Sequence, residues 1–271
     1  MKKWAKKAIA NPWLKQYILI GYAGKGVVYL SIGILAVQAA ILTEREAAGT
    51  YSTLSWIADQ PLGKLVVCLI AFSLVGYVLR RLFQTILITE YSDPSIFKRI
   101  LKRTGYIMSG LSYLGVAYSA LNIIFELGEY DDTIEDLANQ LFEQPIGEWI
   151  ILLGGLVVTT VGISYLYGAY SGSYISEFHA DDIHQKLDKW ATRMGKLGVS
   201  ARGVAFILTG AFLVQAALSG DSQLAGGLEK AFQVLATKPL GWLWLGLIGI
   251  GMICYGLYMF VAARYRRYTI R

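Results

Sequence analysis

Three near-copies of one pattern run through the chain, and a repeat of this length dictates architecture before any single motif does. Gly26-Val27-Val28-Tyr29 returns as Gly110-Leu111-Ser112-Tyr113 and again as Gly203-Val204-Ala205-Phe206. Behind each stands the same punctuation: Pro61-Leu62-Gly63, Pro145-Ile146-Gly147 and Pro239-Leu240-Gly241. The register is tight, with 84 residues between Gly26 and Gly110 and the same between Pro61 and Pro145. Gly110 and Gly203 are 93 apart, and the surplus falls in the segment 171–195. The copies occupy 15–90, 99–172 and 193–266. No Pro- or Ser-rich linker divides them, so 1–271 reads as a single domain.

Each copy holds two long apolar blocks, near 18–42, 64–88, 105–127, 149–170, 197–219 and 240–263. Every block supplies the roughly 20 residues of helix that a hydrocarbon core requires. The blocks are apolar on all faces and too long for a soluble helical core. The expected fold is an all-α membrane protein: six transmembrane helices built as three tandem two-helix repeats. Two spans per copy make all three units point the same way, so their pseudo-threefold axis runs along the membrane normal, unlike inverted-repeat transporters. Lys2, Lys3, Lys6 and Lys7 precede the first block. That block is too long for a signal-peptide core and ends in no convincing cleavage site, so it reads as a retained first helix.

Orientation follows from the basic residues. With both termini inside, the outer segments keep only Arg45, Lys64, Lys230 and Lys238 of the 25 Lys and Arg, together with most of the acids. The positive-inside rule then places both termini in the cytoplasm. The net charge of +6 reports this topology and contact with anionic lipid headgroups on the cytoplasmic side; it is not a nucleic-acid footprint. Trp4, Trp13, Tyr17 and Tyr22 flank the inner side, and Trp56, Trp149 and Trp242 the outer side, as an aromatic belt. Cys68 and Cys254 sit singly in apolar spans and read as small packing residues.

Between the two spans of a copy, an outer loop carries a short amphipathic helix. It is clearest in copy two, where Thr133 and Asp136 resemble a capping box before the stripe Ile134, Leu137, Ala138, Leu141 and Phe142. Leu54, Ile57 and Ala58 are the equivalents in copy one, and Phe232, Leu235 and Ala236 in copy three. Such stripes are expected to lie in the membrane interface. Pro61, Pro145 and Pro239 suit the first turn of the following helix, where no N–H is missed. The segment Glu177–Lys196 is expected to be helical in its second half.

The pattern Gly-Tyr-x-x-(Lys/Arg)-Gly-x-x-Tyr, then Ala-Ala, then Pro-x-Gly, resembles a bacterial family known as a domain of unknown function (twelve-oh-six), a helix pair occurring three times per protein. Gly21 to Tyr29 carries it with Ala39-Ala40 and Pro61-Leu62-Gly63, and Ser200 to Phe206 with Ala216-Ala217 and Pro239-Leu240-Gly241. Copy two departs, with Ser109 in the basic position and Ala120 alone. The resemblance implies a multi-pass protein of the bacterial cytoplasmic (inner) membrane and carries no activity with it.

Two repeat-matched sets are candidates for a site. Lys25, Ser109 and Arg202 share one repeat position, and Lys25 lies about 10 Å along its helix from Ile18 at 1.5 Å per residue. Ionisable residues inside spans are functional candidates, here for a lipid headgroup or anion. The commoner behaviour of a long basic side chain near a helix end is to snorkel to the interface. Gln38, Asn122 and Gln215 place an amide at a second common position, as interhelical glue or solute ligands. Thirteen residues separate Lys25 from Gln38, which turns them roughly 220° apart on one helix. One straight pore therefore does not use both sets. Gly26, Tyr29, Gly33, Ala36 and Ala40 share the arc near Lys25, a small-residue stripe that marks close helix packing.

His179 and His184, with Glu177, Asp181 and Asp182, lack the i, i+4 spacing of a helical metal pair, and the outer acids Glu126 to Asp136 lack a glycine-turned calcium loop. No Gly-x-Ser-x-Gly, Walker loop or in-span carboxylate pair is present. No enzyme, cofactor or metal site is therefore expected. The leading reading is a non-enzymatic membrane protein that binds lipid or a membrane-protein partner in a structural or accessory role. The alternative is a channel or carrier for a small anionic solute, with Lys25 and Arg202 as its selectivity charges.

Overall fold

The computed structural model describes residues 12–42, 49–87, 96–126, 133–172 and 185–265, and all their regular structure is helical. The long helices are α1 (Pro12–Ile41), α3 (Gly63–Leu87), α4 (Ile96–Phe125), α6 (Gly147–Ser171), α7 (Gln185–Ser219) and α9 (Gly241–Tyr265). Each contains a stretch long and apolar enough to cross a membrane. Their outward residues are large and apolar, among them Leu69, Phe72, Leu153, Ile163 and Ile250, as a lipid-facing surface requires. Between the paired spans lie α2 (Thr50–Ala58), α5 (Thr133–Phe142) and α8 (Leu228–Ala236), preceded in the third copy by a 3-10 turn at Ser222–Leu224. α7 begins at Gln185, so the second half of the 177–196 segment is helical as expected.

The loop helices depart from expectation in where their stripes point. Leu54 and Phe232 have no exposed surface and join the main core with Tyr22, Leu74 and Leu245, while Ala138 packs with Ile151, Ala216 and Ala217. These stripe residues pack on the ends of the long helices, whereas Ala236 stays exposed. Burying a Leu or Phe side chain against protein removes it from water just as lipid does, at about 1.5–3 kcal/mol, and adds close-packed contacts.

The Pro-x-Gly corners also differ from expectation. The proline sits in the turn before the helix, not in its first turn, and the helices start at Gly63, Gly147 and Gly241. Each of these N–H groups donates to a carbonyl three residues back: Gln60, Gln144 and Lys238. A Cβ at the glycine would overlap a carbonyl oxygen of the loop helix, Ile57 in copy one, Leu141 in copy two and Leu235 in copy three. Close backbone approach is why glycine recurs there. Leu62 and Leu240 take the left-handed conformation at φ 62° and 58°, which costs an L-residue about 1–2 kcal/mol. Ile146 in copy two stays at φ −110°, because a β-branched side chain resists positive φ.

Side by side, the long helices run α4, α3, α1, α9, α7, α6, each packed on the next. The two spans of a copy touch in copies one and three, α1 on α3 and α7 on α9, but α4 and α6 of copy two do not pack together. That seam is the one break in the sequence of neighbours. The tightest contacts use the glycine stripe: a Cβ at Gly33 would lie 2.6 Å from Gly249 O and from Ile253 N across α1 and α9. Gly203 and Gly162 repeat this closeness between α7 and α6. Glycine at such positions lets backbones approach where lipid offers no hydrophobic drive for association.

A surface ion pair ties α3 to the end of α4. Lys64 Nζ donates to Glu126 Oε1 at 2.6 Å, and this hydrogen bond, then the ammonium charge, holds the Glu126 carboxyl below its ordinary range. A carboxyl depressed in the folded state stabilises the fold at neutral pH, and that contribution is lost as pH falls through its lowered pKa. The pair is exposed, so the effect is small. Glu126→Gln should lower the melting temperature slightly at neutral pH, and the difference should shrink as pH falls below the ordinary glutamate range, as measured by thermal unfolding in detergent.

Candidate functional site

Lys25 and Arg202 do not snorkel. They are 1% and 2% exposed, and both turn into the centre of the bundle among tyrosines. Lys25 Nζ lies 4.6 Å from the ring centre of Tyr77, 4.7 Å from Tyr113, 5.1 Å from Tyr255 and 5.8 Å from Tyr29. It donates to the Tyr77 hydroxyl at 3.3 Å. The Arg202 guanidinium lies 4.7 Å from Tyr165, 5.1 Å from both Tyr29 and Phe206, and 5.2 Å from Tyr255. It donates to the Tyr255 hydroxyl at 2.6 Å. The two cations therefore share Tyr29, Tyr113 and Tyr255. Tyr113 OH donates to Tyr29 OH at 3.1 Å, closing the cluster.

Magnitudes explain why burial wins over snorkelling. A basic side chain at the centre of a membrane helix costs about 2.5–3.5 kcal/mol on insertion scales. One desolvated ring face returns about 2 kcal/mol, and a hydrogen bond to a charged group about 1.5–3 kcal/mol. Several rings and one phenol oxygen offset the cost without a carboxylate. Glu148, in the first turn of α6, is the only Asp or Glu within the six spans. Two further arginines, not anticipated from the sequence, extend the positive region. Arg80 is buried with its guanidinium 4.8 Å from the Tyr22 ring. Arg81 stacks 5.0 Å from Tyr77, donates to its hydroxyl, and lies 5.3 Å from Tyr106.

The cation and its tyrosine recur as a unit. Tyr77 lies 16 residues after Pro61, Tyr255 lies 16 after Pro239, and the same place in copy two is Val161. Copy two thus lacks both members, with Ser109 for the base and Val161 for the phenol. Their place is a cavity of about 40 Å³ lined by Ser109, Val161, Tyr165, Arg202 and Phe206. The two Lys/Arg-to-Tyr bonds were legible only by aligning second helices copy against copy, which the first-helix motif does not prompt.

A larger cavity, about 440 Å³, adjoins it and shares Ser112, Val158, Arg202 and Phe206. Val116, Ala205, Leu213 and Met252 line its apolar walls, and Thr50, Tyr51 and Glu229 stand at its loop-helix end. Ser112, Gly115 and Tyr118 on the α4 side are exposed, so the cavity opens sideways at the seam between α4 and α6. Glu229 accepts a hydrogen bond from Ser52.

The amide set is not assembled in the same way. Gln38 and Asn122 are half-buried and Gln215 is exposed. Asn122 Oδ1 is buried without a hydrogen-bond partner. Cys68 is exposed and Cys254 buried, and neither is in a disulfide. The His179–His184 segment, Trp4 and the basic N-terminus lie outside the described residues, as do Glu129, Asp131 and Asp132.

The family defined as a Domain of Unknown Function (DUF1206) matches three times, at residues 20–87, 104–172 and 197–266. An uncharacterized protein, YxxB, of Bacillus subtilis (strain 168) is 27% identical over 265 residues, covering 97% of this chain and 95% of its own. No solved structure matches the chain.

Proposed function

The chain belongs to the DUF1206 family of three-repeat bacterial membrane proteins, and on that footing we propose a non-enzymatic protein of the cytoplasmic membrane that binds an anionic amphiphile from the bilayer. Both termini face the cytoplasm, as the basic-residue asymmetry requires. The three copies stand about a pseudo-threefold axis along the membrane normal, opened at the α4–α6 seam. The observation that carries the reading is the pairing of a filled centre with a sideways cavity. Lys25, Arg202 and their tyrosines occupy the middle of the bundle, where a conducting axis would hold water. The sizeable cavity instead opens toward lipid and ends on Arg202. Its volume falls in the range of small-molecule pockets, about 300–1,000 Å³.

Buried positive charge with no carboxylate at its depth favours an anion, and apolar walls favour a hydrocarbon tail. The protein extracted in mild detergent and analysed by mass spectrometry is expected to retain an anionic lipid or fatty acid. A monodisperse protein with no retained lipid or partner would overturn the reading. The channel or carrier reading draws on the meeting of both cavities at Arg202. It requires anion flux in liposomes that falls in a Lys25→Ala/Arg202→Ala double variant.

A further inference from the structure

Two hydrogen-bond donors in the copy-two gap have no partner. Arg202 Nε and Ser109 Oγ are both buried and unbonded, and both residues line the 40 Å³ cavity. In copies one and three the corresponding space between first and second helices is bridged by Lys25 with Tyr77 and by Arg202 with Tyr255. Leaving a buried donor unsatisfied costs about 1–3 kcal/mol, more where the group is charged, so two in one cavity, one of them on a guanidinium, mark a place for an acceptor.

The size and surroundings of the gap restrict that acceptor. One water needs about 10–15 Å³ of such volume, so 40 Å³ takes a group of about three heavy atoms, the size of a carboxylate. A phospholipid headgroup exceeds it. The adjoining 440 Å³ cavity rises along α7 from Arg202 to Leu213, about 16 Å at 1.5 Å per residue, between apolar walls. Glu229 at the loop-helix end disfavours approach of an anion from the water on that side, whereas the exposed seam at Ser112, Gly115 and Tyr118 admits one from the bilayer.

We infer that the copy-two gap binds a single-chain fatty acid, its carboxylate between Ser109 Oγ and Arg202 Nε and its alkyl chain in the crevice between α4 and α7. Ser109 is thus a ligand in its own right, in the place where the other copies carry a cation. Tyr255 and the surrounding rings hold the guanidinium still while its Nε–H faces the carboxylate. This inference rests on the amphiphile-binding reading and narrows it to one ligand class and one of the three copies.

The test is titration of delipidated protein with laurate, with dodecanol (same tail, no charge) and with acetate (same charge, no tail), followed by native mass spectrometry and calorimetry. Laurate should bind saturably, and dodecanol and acetate at least tenfold more weakly. Ser109→Leu removes one donor and fills the gap. Gly115→Phe fills the crevice at a position where an added Cβ meets nothing within 4 Å. Each should weaken laurate at least tenfold while the ligand-free protein unfolds at no lower temperature than the parent. Undiminished laurate binding in both variants overturns the site, and acetate binding as tight as laurate overturns the fatty-acid assignment. Retained anionic phospholipid without any laurate binding sinks this inference alone, whereas loss of all lipid retention sinks the amphiphile reading with it.

Discussion

Tyr77→Phe should destabilise the protein by about 3–5 kcal/mol, because the lost hydroxyl serves two cations at once, buried Lys25 and half-buried Arg81. It accepts from Lys25 Nζ and from Arg81, and each hydrogen bond to a charged group is worth about 1.5–3 kcal/mol. The ring stays in Tyr77→Phe, so the loss isolates the oxygen from the π face. Tyr255→Phe removes a single bond, from Arg202, and should cost about 2 kcal/mol. Tyr118→Phe, on an exposed residue at the seam, serves as the neutral control. Unfolding titrations with SDS in mixed micelles give the comparison. If Tyr77→Phe is no worse than Tyr118→Phe, the phenol oxygens do not hold the cations, and the rings alone must be credited.

Gly33→Val is the second large effect, at about 3 kcal/mol or more. Its Cβ would meet Gly249 O and Ile253 N at 2.6 Å, both backbone atoms that cannot rotate aside. α1 and α9 must therefore separate along their contact, forfeiting the dispersion that binds them in lipid. Overpacking a core usually costs about 1–3 kcal/mol, and a clash between two backbones belongs above that range. Gly154→Val, where an added Cβ meets nothing within 4 Å, should be tolerated. A Gly33→Val protein as resistant to SDS as the parent would show that the glycine stripe is not a packing device.

Much of the candidate site was present in the repeat itself. Aligning first helices brings Lys25, Ser109 and Arg202 together on paper, and the structure gathers the two cations around Tyr29, Tyr113 and Tyr255, with Ser109 lining a cavity beside Arg202. What the alignment did not show was their state. A basic residue some 10 Å into a span snorkels or buries according to what neighbouring helices present, and those neighbours are distant in the chain. Tyr77 is 52 residues from Lys25, and Tyr255 is 53 from Arg202. The loop-helix stripes were misdirected for a related reason: amphipathicity says that one face is apolar, not whether lipid or protein will cover it.

The amide set shows the opposite limit. Gln38, Asn122 and Gln215 share a repeat position, yet they differ in burial, with Gln215 exposed. The exposed member is in copy three, whose two spans pack on each other as those of copy one do, so a shared repeat position does not by itself prescribe shared burial.

Sequence alone determined the count of spans, the three copies, the glycine corners and the family, because periodicity and the length of a hydrocarbon core leave few other solutions. Only the tertiary structure decided that the two cations are buried among tyrosines, and that the missing pair in copy two is a cavity rather than a repacked contact. Chain periodicity prescribes which residues recur, whereas close packing between helices prescribes which of them meet and where space is left over.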